Sequence, residues 1–285
     1  MPASSTRCRF SRPRRKSIVC LVATVILWAG LHVLLRSEPL GRTVIISHRG
    51  MAGSAPENTL SSVREAIRRG AEFIEIDVRR SADGVILLMH DLTVNRTTNG
   101  QGRIGELTWD EISRLDAGSH LSPAFAGEPV PTLDDVLESI EPSSITLVLE
   151  VKQPDRYPGV ATQIAAALQG FDPDGSVVVV SFDHDWLAAF QDLAPGTPVG
   201  YLQVHPFIQR HVPEDSVVDV HWIGVLVDPT LIRRVHHRGH RIWVWTVNDV
   251  RLMRLLTWLG VDGITTDYPE KYPEHLRTRD SGAVN

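Results

Sequence analysis

Three carboxylates and two histidines carry the chemistry expected of this sequence. Glu75 and Asp77 stand two apart in the run Phe73-Ile74-Glu75-Ile76-Asp77-Val78. At strand spacing both side chains project to one face, and Ile74, Ile76 and Val78 take the other. Glu150 and Lys152 repeat the pattern against Ile145, Leu147 and Leu149. On a buried face such carboxylates repel and are costly to desolvate unless a cation lies between them; the competing reading is a wet acidic face on an edge strand. An all-carboxylate set selects one hard divalent cation, Ca²⁺ or Mg²⁺. His48 and Arg49 follow the run Thr43–Ser47 and precede Gly50. Arginine offers a fixed fork of donors to a phosphate, and histidine moves protons near neutral pH.

A second histidine is placed by a hairpin. Asp83-Gly84 is flanked by extended residues, the signature of a two-residue loop. That loop would set Asp77 opposite His90 and return His90-Asp91 to the level of the carboxylates, a match that a one-residue slip would break. His48 and His90 then form an acid/base pair, one deprotonating a nucleophile and the other protonating a leaving oxygen. With a cation, Arg49 and Lys152 to neutralise a phosphoryl group, the implied reaction class is phosphoester cleavage.

The elements that must hold these residues alternate. Candidate strands are 44–47, 73–78, 145–151, 177–181, 199–202, 223–227, 241–246 and 263–265; helix-like segments include 58–69, 157–168, 185–193, 230–237 and 250–259. Strand–helix alternation with buried strands predicts a (β/α)₈ TIM barrel over residues 43–275, whose functional residues sit at the C-terminal strand ends. An open doubly wound sheet is the alternative, but no Gly-rich phosphate loop follows any strand.

The net charge of −5 over 285 residues, with 42% hydrophobic and 22% charged side chains, excludes a disordered chain and a strongly basic nucleic-acid binder. It also hides an asymmetry: residues 1–42 carry +7 and the rest −12. The uncharged run 17–35 follows the basic head 1–16 and reads as a transmembrane signal-anchor, with the body extracytoplasmic. Signal cleavage and secretion is the alternative, although the run exceeds a usual signal core and no A-x-A site follows. Both cysteines, Cys8 and Cys20, precede the body. A metal in the body is therefore held by oxygen or imidazole. Residues 276–285 read as a polar tail, and no protein partner is predicted.

These residues fall into a recognisable order. His48-Arg49-Gly50 is followed after six residues by Glu57-Asn58-Thr59, then by Glu75-Ile76-Asp77-Val78, by Asp83-Gly84 with His90-Asp91 five residues on, and by Leu149-Glu150-Val151-Lys152. Pro131-Thr132-Leu133, Ser181-Phe182, Trp245-Thr246-Val247-Asn248 and Asp262–Pro269 continue the series. From about Val44 to Pro269 the chain resembles the glycerophosphodiester phosphodiesterases. The resemblance implies a (β/α)₈ barrel and divalent-metal-dependent cleavage of glycerophosphodiesters to an alcohol and glycerol 3-phosphate. By position it implies Glu75, Asp77 and Glu150 as metal ligands, His48 and His90 as acid and base, and Arg49 and Lys152 on the phosphate. It places Glu57 and Asn58 in support, Glu57 reaching metal or glycerol, with Phe182 and Trp245 flanking the substrate. A lysophospholipase D-like activity on lysophospholipids is a second enzymatic reading, and an inactive barrel acting as a surface binding protein is the non-enzymatic one.

Overall fold

The computed structural model describes residues 15–140, 144–171, 176–205, 212–213 and 216–277. Residues 1–14 of the expected basic head and 278–285 of the expected tail lie outside the described residues. Nine strands form among the described residues: β1 (Val44–Ser47), β2 (Phe73–Arg80), β3 (Ile86–Leu88), β4 (Thr146–Val151), β5 (Val177–Ser181), β6 (Val199–Gln203), β7 (Val217–His221), β8 (Arg241–Trp245) and β9 (Gly263–Thr266). All but β3 pair in parallel in the order β1, β2, β4, β5, β6, β7, β8, β9, and β9 returns to β1 to close a barrel. β3 adds antiparallel to β2 outside the ring. Among the described residues the α-helices are α1 (Arg15–Leu35), α2 (Leu60–Arg68), α3 (Trp109–Ile112), α4 (Leu133–Ile140), α5 (Val160–Phe171), α6 (His184–Leu193), α7 (Trp222–Val227), α8 (Leu231–His236), α9 (Val250–Leu259) and α10 (Glu274–Arg277).

Strand parity decides what is core and what is site. The outward residues Ile74, Ile76, Leu147 and Leu149 pack with Val63 and Ala66 of α2, Val136 of α4 and Ile164 of α5. Each large apolar side chain so buried stabilises the fold by roughly 1.5–3 kcal/mol. The inward residues Ile46, Val148, Val178, Val217 and Trp243 fill the barrel and give the site its dry floor. Trp243 needs Gly263 beside it: a Cβ there would lie 2.4 Å from its ring. Residues 91–131 form an insert after β3, packed around Val94, Ile104, Ile112 and Val130 together with Leu87 and Met89.

Three expectations change. The run 223–227 is not a strand: α7 occupies Trp222–Val227, and the barrel strand is Val217–His221. A short β-branched run fits a buried strand or a buried helix equally well, and the polar Asp219 had disguised the true strand. The hairpin is offset by one residue. Val78 pairs with Leu88 and Arg79 with Leu87, so Met89, not His90, stands opposite Asp77. The loop is longer than the expected two residues because Ser81 N donates to Val85 O, and Gly84 (φ 98°) closes it in the left-handed region.

The third change concerns the membrane. Residues 17–35 are helical, but no helix among the described residues is long and apolar enough to cross a membrane. Helix α1 is described with side chains only from Cys20 on, a stretch shorter than the ~20 residues a span needs. In that stretch His32 is buried and Trp28 Nε1 donates to the Leu226 carbonyl at 3.2 Å, so α1 packs in part on the barrel.

Candidate active site

The C-terminal strand ends bring the expected residues together. His48, Arg49, Glu75, His90, Glu150, Lys152, Phe182 and Trp245 line one cavity of about 310 Å³, joined by Leu202, Asp219 and Thr265. Asp77 lies directly behind its polar wall, fully buried. Strand register explains the grouping, because Asp77 is the Cα partner of Glu150, and Glu75 sits one inward pleat below on β2.

Glu75, Asp77 and Glu150 each present an oxygen within 4.8 Å of the others. Asp77 Oδ1 and Glu150 Oε1 face Lys152 Nζ at 3.0 and 2.6 Å, although neither contact has hydrogen-bond angles. Arg49 Nε lies 3.1 Å from Asp77. Glu75 Oε1 is buried with no hydrogen-bond partner. Two cations therefore face three buried carboxylates, and the electrostatics show the imbalance. Burial, then Asp77 and Glu150, push Glu75 well above the usual carboxylate range. Burial likewise drives Glu150 up to about 7, against the pull of Lys152. Burial acts upward on Asp77 too, but Lys152 and Arg49 outweigh it and hold Asp77 low. An orphaned carboxylate oxygen, three convergent oxygen donors and no sulfur ligand fit a hard divalent cation.

Backbone shape and neighbours fix these groups. Arg49 (φ 51°) and Asn58 (φ 56°) adopt left-handed conformations, uncommon for residues with a Cβ. In that conformation Arg49 N donates to Glu75 Oε2 at 2.8 Å. Asn58 donates through Nδ2 to Asp77 Oδ2 at 2.8 Å and accepts from Asp77 N at 3.0 Å. The Asn58 amide thus leaves Asp77 Oδ1 turned toward the cluster, the orienting role outer residues have around metal ligands.

Each histidine is paired with a carboxylate. His48 Nδ1 lies 2.6 Å from Asp267 Oδ1, and Asn248 Nδ2 donates to Asp267 Oδ2 at 2.6 Å. His90 Nδ1 lies 2.8 Å from Asp91 Oδ1. Ionised carboxylates only accept, so both Nδ1 atoms donate and both Nε2 atoms are left to exchange a proton. His48 Nε2 is 3.9 Å from Glu75. Burial, then Lys152 and Arg49, outweigh the nearby Asp77 and lower the His90 pKa below its ordinary value. His90 reaches this place by its loop rather than by the ladder: Arg79 Nε and Nη2 donate to the His90 carbonyl at 3.0 and 2.7 Å.

Glu57 supports the site through Arg49. It is not part of the cavity lining; it accepts from Arg49 Nη1 at 2.8 Å and from both terminal nitrogens of Arg96 at 2.7 Å. Arg96 in turn donates to Asp91 through Nε at 2.7 Å. A chain of charges thus runs from Arg49 through Glu57, Arg96 and Asp91 to His90. Sequence reasoning missed Arg96, Asp267 and Asp219. Asp267 had a signal, since it follows the last barrel strand at its C-terminal end. Arg96 had none, because its partners lie on a loop whose path the sequence does not show.

Comparison with known proteins agrees with this geometry. Residues 48–271 match the glycerophosphoryl diester phosphodiesterase family. A glycerophosphodiester phosphodiesterase of Caldanaerobacter subterraneus subsp. tengcongensis is 34% identical over 234 residues, covering 80% of this chain and 96% of the relative. One from Bacillus subtilis is 31% identical, covering 81% and 85%. Among solved structures, a glycerophosphodiester phosphodiesterase from Agrobacterium tumefaciens superimposes with a TM-score of 0.70 at 31% identity, covering 81% of this chain and 98% of that one. An Oleispira antarctica phosphodiesterase in complex with the product sn-glycerol-3-phosphate gives 0.73 at 28% identity, covering 81% and 95%.

Proposed function

The chain belongs to the glycerophosphoryl diester phosphodiesterase family, and from that membership we propose how its site divides the work. It is a phosphoric diester hydrolase acting on glycerophosphodiesters. The observation that carries the finer reading is the meeting of two carboxylate-held histidines and a three-carboxylate cluster in one cavity. Arg49 and Lys152 hold the phosphoryl group. Glu75, Asp77 and Glu150 would hold one divalent cation, which when bound would draw negative charge from the phosphoryl oxygens.

One histidine Nε2 takes the proton from the attacking water as its oxygen bonds to phosphorus. The other gives a proton to the alcohol oxygen as the bond from that oxygen to phosphorus breaks. Asp267 and Asp91 fix the tautomers and steady the imidazolium that each histidine becomes in turn. The products are glycerol 3-phosphate and the free alcohol. Phe182 and Trp245, whose rings meet edge-on at 5.6 Å, flank the path to the mouth.

The substrate class is tested by giving purified protein equal concentrations of glycerophosphocholine and lysophosphatidylcholine. We expect kcat/KM for glycerophosphocholine to exceed that for the lysolipid by at least about tenfold, since a cavity shaped for the compact diester gains nothing from an acyl chain. Cleavage of the lysolipid alone would replace this substrate assignment.

A further inference from the structure

One polar group in the cavity has no part in the mechanism above. Asp219 lies on β7 between Val218 and Val220, whose side chains pack outward into the helical layer. Asp219 itself faces the cavity, with Leu202 and Trp243 as its Cα partners. It is 4% exposed, and its Oδ1 is buried with no hydrogen-bond partner. A buried polar atom left unpaired costs stability, and a leucine would fill such a place without that cost. Natural active sites keep such groups where a ligand completes them.

The cavity wall around Asp219 says what the ligand must be. The same cavity carries Arg49, Glu75, Glu150 and Lys152, where phosphate and cation belong, and Glu150 is close enough for its charge to act on Asp219. On the two strands that flank it stand the apolar Leu202 and Trp245, and Val180 also lines the cavity. Trp245 Nε1 donates to the Asp219 backbone carbonyl at 3.3 Å, which fixes ring and strand together. His221 is the partner of Trp245 at the strand ends, so Asp219 lies one inward pleat below the aromatic rim. Whatever part of the substrate reaches it has passed the rim, is small, and offers a hydrogen-bond donor among apolar atoms.

We propose that Asp219 reads the glycerol half of the substrate, its carboxyl hydrogen-bonding a glycerol hydroxyl. The proposal rests on the phosphodiesterase reading above and names the moiety that site selects. Glycerol is the half common to all glycerophosphodiesters and small enough to be enclosed. The variable alcohol stays on the open side, where a groove of about 500 Å³ continues past Phe182. That groove carries Asp155, Asp183 and Asp185, so a cationic alcohol has carboxylates of its own outside the rim.

The test is a substrate ratio. Asp219→Leu and Asp219→Asn are assayed on glycerophosphocholine, on glycerophosphoglycerol, and on bis(p-nitrophenyl) phosphate, which has neither hydroxyl nor cation. Relative to bis(p-nitrophenyl) phosphate, Asp219→Leu is expected to lower kcat/KM for both glycerol substrates by about 10–100-fold, the range for leaving one polar partner unmatched. Asp219→Asn, which keeps a polar side chain, is expected to lose less. Its Asp219→Leu counterpart should also melt no lower than the wild type. A loss confined to glycerophosphocholine would mean that the residue reads a cationic alcohol, and overturns the proposal. An unchanged ratio overturns it as well, and so does an equal loss on all three substrates with a lowered Tm, which marks a structural role. Wild-type protein that cleaves bis(p-nitrophenyl) phosphate and neither glycerol substrate would refute the glycerophosphodiester reading itself.

Discussion

Replacing His48 or His90 by alanine is expected to lower kcat for glycerophosphocholine by about 10²–10⁴-fold while changing KM little, because a positioned acid or base acts in the transition state rather than on the bound substrate. Both rings are held in place by a carboxylate. Asp267 and Asp91 accept from Nδ1 at 2.6 and 2.8 Å, which leaves each Nε2 facing the cavity. The double variant should lose much less than the product of the two single losses, since neither proton transfer is useful without the other. Steady-state kinetics with circular dichroism as a folding control makes the measurement. Undiminished turnover by either folded variant would remove that histidine from the mechanism.

Exhaustive chelation is expected to reduce activity by about 10³-fold or more, with recovery on adding Ca²⁺ or Mg²⁺. The reason is visible without the ion: Glu75, Asp77 and Glu150 lie within 4.8 Å of one another, and Glu75 Oε1 has no partner. Stability gives a readout independent of turnover. A cation at a hundredfold excess over Kd should raise Tm by roughly 5–10 °C for a domain of this size. The sign of the pH effect follows from the raised carboxyls. Glu150 ionises near 7 in the cation-free protein, above its ordinary value, so the cation-free fold loses stability as pH rises through that range. Binding displaces the proton, and the gain in Tm should therefore be larger at pH 8 than at pH 6. No gain in Tm at either pH on adding the cation, together with full activity in chelator, would contradict the three-carboxylate site.

Much of the site was legible because it rests on parity. Glu75 with Asp77, and Glu150 with Lys152, alternate with residues that the structure buries under α2, α4 and α5, so the period of two placed them before any contact was known. His48 and Arg49 were legible as a strand end. The position of His90 was reached through a register wrong by one residue. The conclusion survived because Arg79 holds the His90 carbonyl beyond the end of the ladder. Asp219 was lost with its strand: the run Ile223–Val227 is wholly apolar, whereas Val217–His221 is interrupted by Asp219 and ends in a histidine, and local composition cannot choose between a short strand and a short helix. Arg96 and Asp267 were missed for another reason, although Asp267 directly follows the last barrel strand. Their partners are 39 and 219 residues distant in sequence, and loops rather than patterned elements bring them together.

The central claim is that this barrel cleaves a glycerophosphodiester on the alcohol side of phosphorus, using a cation held by Glu75, Asp77 and Glu150. Phosphorus NMR of glycerophosphocholine with the purified protein tests it most directly. With Ca²⁺ or Mg²⁺ present, the substrate resonance should give way to that of glycerol 3-phosphate, with choline released in equal amount, and in chelator it should persist. Conversion to phosphocholine and glycerol, or unimpeded conversion in chelator, would contradict the account.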